Sequence, residues 1–257
     1  MASPASYRST TNPMRIQFAQ FFDHIYVINL IQRTDRRRDM EAQLDKIGVS
    51  KDKATFFPAI RPEVAAGFPS IGARGCFMSH IAVLEDALKK NYKRILICED
   101  DLNFVRNFND RIGQTLVELS TIPWAMFYGS YRLCGCDDSR QSGDARYVVP
   151  ISSAYTIDTA HFLAFQGSSI AFASRYLRAM LDRPPGDARG GPMHVDGAYN
   201  WFRKDNPQFV TIIATSELGY QRSSRSDIFR PAWYDQAPGI STVVGFARMV
   251  KSRIRRR

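Results

Sequence analysis

The residues with the clearest capacity for chemistry are three consecutive carboxylates, Glu99, Asp100 and Asp101. They follow the short apolar run from Ile95 to Cys98, which predicts a buried strand. Adjacent carboxylates at the end of a core strand repel one another and lose solvation, so a divalent cation, a basic side chain or solvent must compensate them. The triplet alone leaves a solvated acidic turn open as the alternative.

A cluster of arginines follows the first predicted strand, residues 24–30. Segment 32–38 contains four arginines and leads into a helix predicted to begin with Thr34 as its N-cap. Ligands of open α/β sheets bind outside the carboxyl ends of strands, so we expect at least one arginine to contact an anionic nucleotide. The alternative is a solvated basic first turn, which the helix dipole slightly disfavours.

A third candidate is the glycine-containing segment before the acidic triplet. Residues 72–75 predict a turn whose free backbone N–H groups, with Arg74 beside them, could bind an anion. Phe77 and Leu84 then fall at helical spacing and predict a core-packed helix. His80 lies one turn from each of them, which favours a hydrogen-bonded core histidine over a metal ligand.

The elements that position these residues alternate between strand and helix along the chain. Segment 109–119 has a helical pattern, and segments 124–129 and 209–214 predict buried strands. This alternation is typical of repeated βα units. The sequence therefore predicts an α/β fold with a mainly parallel central sheet flanked by helices.

Composition narrows the classes of protein that remain. The chain has 257 residues, 44% of them hydrophobic and 23% charged, as in ordinary soluble domains. Its four cysteines form neither a disulfide framework nor a complete zinc pattern, although Cys134 and Cys136 could bind a metal or form a strained disulfide. No run of about 20 apolar residues is present that could span a membrane.

Positive charge is concentrated at the C-terminal end of the chain. The net charge is +10, and residues 240–257 contain six basic residues on an amphipathic helical pattern. This distribution argues against a whole-surface nucleic-acid binder, and no nucleic-acid partner is expected. It predicts attachment to an anionic membrane surface, with a tail helix docked on its own domain as the alternative. We divide the chain into a mobile leader (1–22), a catalytic domain (23–232) and a basic amphipathic tail (233–257).

In their order along the chain, these features resemble glycosyltransferase family 25, the lipopolysaccharide and procollagen galactosyltransferase family. The resemblance extends from about residue 24 to 228, and segment 131–173 departs from the family pattern. The matching residues are Ile25 to Leu30 with Arg33, Asp35, Arg36, Arg37 and Met40; Gly72 to His80; Glu99 to Asp101; Ser174 and Arg175; Val195 and Asp196; and Gln221 with Ser226, Asp227 and Ile228.

The resemblance implies a GT-A-like nucleotide-sugar-binding domain. It implies transfer of a sugar, with galactose expected, from a UDP-sugar to a hydroxyl of a lipid-linked or surface glycan acceptor, with inversion. Asp101 and Glu99 would hold Mn²⁺ or Mg²⁺, whose preferred ligands include carboxylate and phosphate oxygens. The residues implied in nucleotide-sugar binding are Asn29, Leu30, Arg33, Arg37, Arg74, Gly75, His80, Glu99 and Asp100.

Transfer to a hydroxyl needs a general base. Asp196 is the expected base, and Asp227 is the other candidate or a second metal ligand. Asp196 could instead only cap the helix that follows it. The expected location is cytoplasmic, peripheral on the inner face of a bacterial membrane. Alternative functions are a metal-dependent phosphotransferase or nuclease, and a non-enzymatic basic protein that binds membranes or nucleic acid.

Overall fold

Apolar strands buried on both faces form the centre of the molecule. The computed structural model describes residues 18–134 and 146–222. The strands in these ranges are β1 (His24–Asn29), β2 (Ala54–Pro58), β3 (Arg94–Glu99), β4 (Leu102–Phe104), β5 (Met126–Tyr128), β6 (Arg132–Cys134), β7 (Val148–Ile151), β8 (Thr156–Asp158), β9 (Phe162–Gln166), β10 (Thr211–Ala214) and β11 (Gly219–Gln221). The helices are α1 (Thr34–Lys46), α2 (Ile71–Lys89), α3 (Phe108–Thr121), α4 (Ser169–Leu181) and α5 (Val195–Asp205).

The central sheet has seven strands in the order β2-β1-β3-β9-β5-β10-β7. Strands β2, β1, β3, β5 and β10 run in one direction, whereas β9 and β7 run in the other. The predicted α/β fold with a mainly parallel sheet is therefore confirmed. The antiparallel β9, inserted between β3 and β5, comes from the segment that departs from the family pattern.

Helices cover both faces of this sheet. Alternate side chains of β1 divide between the two faces: Tyr26 and Ile28 pack in one apolar cluster, Ile25 and Val27 in the other. The first cluster includes residues of α2, α4 and α5, and the second includes residues of α1 and α3. Two helical layers on one sheet are compatible with a GT-A-like fold.

The packed part of the chain begins before the predicted domain boundary at residue 23. Phe18 and Phe22 are both 1% exposed, and the ring of Phe18 makes an edge contact with that of Phe108 in α3. These two residues of the proposed leader therefore belong to the core. Residues 1–17 of the leader and the tail, residues 233–257, lie outside the described ranges.

The C-terminal end of α1 agrees with the sequence prediction, whereas its N-terminal end differs from it. Gly48 follows the helix with φ of 73°, the left-handed conformation in which glycine costs least. The N-cap is Arg33 rather than the predicted Thr34, and it makes no side-chain cap bond. The basic segment therefore enters the helix one residue earlier than expected.

Candidate functional site

The acidic triplet lies at the carboxyl edge of the central sheet. Glu99 is the last residue of β3, and Asp100 and Asp101 form the turn into β4. The backbone N–H of Glu99 donates to the carbonyl of His161, which lies just before β9, at 3.2 Å. Strand β11 pairs with β4 immediately after the turn. The carboxylates therefore occupy the part of an open α/β sheet where ligands bind.

Asp100 is bound by the protein itself. Its Oδ2 accepts a hydrogen bond from Asn29 Nδ2 at 2.7 Å, and its Oδ1 accepts one from Arg36 at 2.8 Å. The side chains of Asp100 and Arg36 are 8% and 11% exposed, so this is a buried ion pair. Both carboxylate oxygens are engaged, which makes the predicted contact of Asp100 with a nucleotide sugar less favourable. The same holds for Asn29, whose amide completes this pair.

Asp101 differs from Asp100, because one of its two carboxylate oxygens accepts no hydrogen bond from the described residues. The residue is 8% exposed, and Oδ2 accepts a hydrogen bond from Gln221 at 3.2 Å. Within residues 18–134 and 146–222, its buried Oδ1 has no hydrogen-bond partner. Burial, and next the negative charge of Glu99, raise the pKa of Asp101 to about 7. Arg36 lies 3.7 Å from Oδ2. A proton or a cation at Oδ1 would satisfy the remaining oxygen.

Glu99 faces two side chains of helix α2. Its Oε1 lies 3.8 Å from His80 Nε2 and 3.9 Å from Cys76 Sγ. Burial acts to raise the pKa of Glu99, but the neighbouring His80, followed by His161 and Arg36, outweighs it and lowers that pKa overall. Burial, and next the charge of Glu99, raise the pKa of the Cys76 thiol well above its usual value. Glu99 is therefore the anionic member of this group, and Cys76 is a neutral thiol.

His80 is fully buried and hydrogen bonded, as the sequence favoured. Its Nδ1 lies 3.0 Å from the hydroxyl of Tyr199 in α5. Its Nε2 has no hydrogen-bond partner in the described part of the chain and points towards Glu99. His80 therefore lines the site at the end of β3 as well as packing in the core.

The predicted glycine turn is wrong, because α2 begins earlier. Ser70 is the N-cap, and its hydroxyl accepts a hydrogen bond from Ala73 N at 2.9 Å, so Gly72 and Gly75 lie inside the helix. A Cβ on Gly75 would lie 2.4 Å from the carbonyl oxygen of Ile60. Gly75 therefore allows the helix to approach the segment after β2, and it does not form an anion-binding turn.

The predicted arginines point to separate partners. Arg33 makes two contacts of 2.9 Å with Asp35, and Arg37 pairs with Glu41 at 3.0 Å on the exposed side of α1. Arg74 donates to the carbonyl of Val64 at 2.9 Å. Among the arginines of segment 32–38, Arg36 reaches the acidic turn; it matches the family pattern but was not among the residues implied in nucleotide-sugar binding. Arg222 also reaches this turn and donates to the carbonyl of Asp100 at 3.0 Å. Leu30 is half-buried, and its carbonyl accepts from Arg33 N in the turn before α1.

Asp196 lies in the first turn of α5, close to the same edge of the sheet. Its Oδ1 accepts a hydrogen bond from Gly197 N at 2.8 Å and its Oδ2 one from Thr159 N at 3.2 Å. Its charge also contributes to the raised pKa of Cys76, after burial and Glu99. Thr159 has φ of 78°, which is strained for a β-branched residue. Asp227, the other predicted base, lies outside the described residues.

His161 and the spacing of Cys76 and His80 add to the surroundings of Glu99. His161 Nε2 lies 2.9 Å from Ser130 Oγ, and both residues are buried. Cys76 lies four residues before His80, so both reach the same side of α2. That spacing was a signal in the sequence for a shared ligand, whereas the approach of His161 depends on the unpredicted strand β9.

The fold and the geometry together describe an α/β protein with a polar candidate ligand site at the carboxyl edge of its sheet. Residues 69–132, which include α2 and the acidic triplet, match the family model described as Glycosyltransferase family 25 (LPS biosynthesis protein). This match covers the two elements that carry the site, and the resemblance predicted from the sequence is confirmed.

Curated relatives include proteins named for the same family and one named as a galactosyltransferase. The "Probable inactive glycosyltransferase 25 family member 3" of Bos taurus is 26% identical over 181 residues, which cover 62% of this chain and 30% of the relative. The "Glycosyltransferase 25 family member" of Aedes aegypti is 29% identical over 62% of this chain and 29% of the relative. The "Procollagen galactosyltransferase 1-B" of Xenopus laevis is 27% identical over 69% of this chain and 32% of the relative.

These comparisons show that part of the chain is similar to members of glycosyltransferase family 25. It spans about a third of the length of the relatives it matches. One of these relatives is named as probably inactive and another as a galactosyltransferase, so similarity alone does not decide activity.

The evidence on location is limited to two findings. Among the described residues, no helix combines the length and the apolar character needed to cross a bilayer. The animal origin of the relatives does not support the predicted location on the inner face of a bacterial membrane. The basic tail that led to that prediction lies outside the described residues.

Proposed function

We propose that this protein is a glycosyltransferase that moves a sugar, galactose being the first choice, from a UDP-sugar to an acceptor hydroxyl with inversion. The observation that carries the proposal is Asp101, a buried carboxylate beside Glu99 whose Oδ1 has no partner in the described part of the chain. It lies at the sheet edge where ligands bind, inside the stretch that matches the family model.

The carboxylates of Asp101 and Glu99 fit a divalent cation of the Mn²⁺ or Mg²⁺ class. Oxygen ligands suit both ions, and the unsatisfied Oδ1 of Asp101 supplies a coordination position that the protein does not fill. Such an ion, when bound, acts as a Lewis acid that stabilises the negative charge growing on the departing diphosphate. Asp100 does not fit as a ligand, because Asn29 and Arg36 occupy its oxygens.

Arg36 and Asp100 have a supporting role in this proposal. Their ion pair fixes the start of α1 against the acidic turn and leaves Asp101 as the acid that faces the site. Gln221 holds Oδ2 of Asp101 from β11, and the backbone carbonyl of Asp101 accepts from Arg222 N at 2.7 Å. The turn is thus fixed from both ends before any ligand binds, which reduces the cost of binding one.

Asp196 remains our candidate for the general base. In a single displacement, the acceptor oxygen bonds to the anomeric carbon as the bond to UDP breaks, and the hydroxyl proton passes to a carboxylate. Asp196 is close enough to the site for its charge to act on Cys76. Its two backbone hydrogen bonds hold it in place but leave carboxylate lone pairs for a proton.

A metal-dependent nuclease or phosphotransferase is less well supported. A two-metal site needs several free carboxylates, and the internal pairing of Asp100 removes one of the three. A glycan or glycolipid acceptor stays a prediction. Attachment to an anionic membrane through residues 240–257 is also a prediction, and liposome co-sedimentation of the full chain and of a chain truncated before residue 240 would test it.

The test of the proposed function is UDP release from a panel of UDP-sugars, with Mn²⁺ and candidate glycan acceptors. Slow transfer to water gives a signal even where the acceptor is wrong. We expect Asp101→Asn to lower the rate by about 100-fold or more, the scale seen when one charge-stabilising group is lost. Asp52→Asn, on the exposed loop before β2, is the matched control and should release UDP at the wild-type rate. Absence of UDP release from every sugar would overturn the proposal.

A further inference from the structure

Cys76, His80 and Glu99 bring three potential metal ligands together beside the acidic turn. One ligand atom from each residue lies within 4.8 Å of the others. Cys76 and His80 are one turn apart on α2, a rigid element, and Glu99 ends the adjacent strand β3. The donor set of sulfur, imidazole nitrogen and carboxylate oxygen differs in kind from the oxygen-only set proposed for the diphosphate.

The spacing of these atoms is close to that of a tetrahedral zinc site. Zinc–sulfur bonds of about 2.3 Å and zinc–nitrogen or zinc–oxygen bonds of about 2.1 Å place ligand atoms roughly 3.4–3.6 Å apart. Glu99 Oε1 lies 3.8 Å from His80 Nε2 and 3.9 Å from Cys76 Sγ. The third distance, from Cys76 Sγ to His80 Nε2, is within 4.8 Å. The two distances to Glu99 need a contraction of a few tenths of an ångström, and rotation of the Cys76 and His80 side chains on α2 would have to supply the remainder.

The environment of His80 is a second observation, separate from the ligand-atom distances, that points to a ligand between Cys76, His80 and Glu99. The residue is 0% exposed, and its Nε2 has no hydrogen-bond partner among the described residues. Its other ring nitrogen lies 3.0 Å from the Tyr199 hydroxyl. Without an ion, a proton on Nε2 would face the Glu99 carboxylate. With an ion bound, the proton would lie on Nδ1, donated to Tyr199, and the lone pair of Nε2 would be available to the ion. A hydrogen bond to the second nitrogen is the usual way in which proteins orient a metal-binding histidine.

We propose that Cys76, His80 and Glu99 form a binding site for a thiophilic divalent ion of the Zn²⁺ class. On binding, the Cys76 sulfur–hydrogen bond breaks, a sulfur–metal bond forms and the proton passes to buffer, while His80 Nε2 and Glu99 each contribute a lone pair. Three protein ligands leave a fourth position for water. The thiolate makes the site select Zn²⁺ over Mn²⁺ or Mg²⁺.

Occupation of this site would also affect the proposed reaction. Glu99 belongs to both donor sets, so a zinc-class ion that takes its carboxylate competes with the ion expected at Asp101. We therefore expect micromolar Zn²⁺ to inhibit sugar transfer. This consequence depends on the proposed function, whereas binding of the ion does not.

The test uses the metal-free full chain titrated with Co²⁺, a spectroscopic substitute for Zn²⁺. A sulfur-to-cobalt charge-transfer band should appear and should disappear on addition of one equivalent of Zn²⁺. Cys76→Ser should abolish the band, and His80→Gln should weaken Co²⁺ binding by tenfold or more. The double variant Cys134→Ser, Cys136→Ser is the matched control and should keep the band, as should Asp101→Asn.

Other outcomes would overturn the proposal. These are no band at saturating Co²⁺, a band that persists in Cys76→Ser, or a band lost only in the Cys134, Cys136 double variant. If Cys76→Ser does not fold, labelling of the wild-type Cys76 thiol gives the answer, because Zn²⁺ should slow it and His80→Gln should remove the protection. No UDP-sugar is present in these measurements, so failure of the proposed glycosyltransferase activity would leave their result unaffected.

Discussion

At the scale of single residues, two neighbouring arginines of α1 differ in burial and in the carboxylate that each one binds. Arg36 and Arg37 are adjacent, yet Arg36 forms a buried pair with Asp100 whereas Arg37 pairs with Glu41 on the surface. Successive residues of a helix are rotated by about 100°, so one of two adjacent arginines faces the sheet and the other faces solvent. The sequence identified the basic cluster and the acidic triplet, but the orientation of α1 decides which members meet.

Because the two arginines differ in burial, we expect Arg36→Gln and Arg37→Gln to lower the free energy of unfolding by different amounts. Arg36→Gln leaves the buried Asp100 carboxylate without its counter-charge, and we expect it to lower the free energy of unfolding by about 3 kcal/mol. Arg37→Gln removes a pair whose side chains are 51% and 41% exposed and a cation–π contact with Phe56 at 4.6 Å, and it should cost about 1 kcal/mol or less. Urea denaturation of both variants measures the difference. Equal losses would show that the Arg36–Asp100 pair does not hold the turn.

At the scale of elements, the site depends on the close approach of α2 to the sheet. The helical spacing of its apolar residues predicted this helix, and the apolar run before the triplet predicted β3. The neighbourhood of Glu99 was not predictable in full, because His161 arrives on β9, a strand whose place between β3 and β5 depends on pairing far along the chain. Local patterns identify a strand but carry no information on its position in a sheet.

Gly75 tests how tightly α2 is packed. Gly75→Ala places a methyl group against the backbone oxygen of Ile60, which cannot move as a side chain can, so we expect a loss of about 1–3 kcal/mol in unfolding free energy. Gly197→Ala is the matched control in α5. Its added Cβ would meet the flexible Met193 sulfur at 3.3 Å, and the change should be neutral or stabilising by up to about 1 kcal/mol. Thermal or urea unfolding of both variants measures this, and a stable Gly75→Ala would contradict the packing argument.

At the scale of the whole molecule, the pH dependence of stability reflects histidines buried in the neutral form. Burial, and next the charge of Lys90, lower the pKa of His24, whose Nε2 lies 2.8 Å from Thr55 Oγ1. Burial likewise lowers the pKa of His161. Below about pH 6.5, the usual histidine pKa, the unfolded chain binds more protons than the folded chain at these positions. Their contribution is therefore complete above that pH and is lost as the pH falls.

His24→Gln should make the free energy of unfolding depend less steeply on pH below about pH 6.5. Glutamine does not titrate and can still bond to Thr55, so the slope below about pH 6.5 should decrease by at most about 1.4 kcal/mol per pH unit, the limit for one proton. His161 keeps part of the slope. Urea midpoints between pH 5 and 8 measure the effect, and a His24→Gln profile that coincides with the wild type would disprove the assignment to His24.

We propose that two members of the acidic triplet have different roles, in which Asp101 binds the ligand ion and Asp100 is structural. The most direct test of this proposal is electron paramagnetic resonance of free Mn²⁺, titrated with the full chain and saturating UDP. We predict that Asp101→Asn weakens Mn²⁺ binding by at least tenfold without lowering the unfolding midpoint, since it removes an unsatisfied buried carboxylate. Asp52→Asn should bind Mn²⁺ as the wild type does. An Asp101→Asn variant that binds Mn²⁺ and UDP as tightly as the wild type would show that Asp101 is not a ligand of the ion.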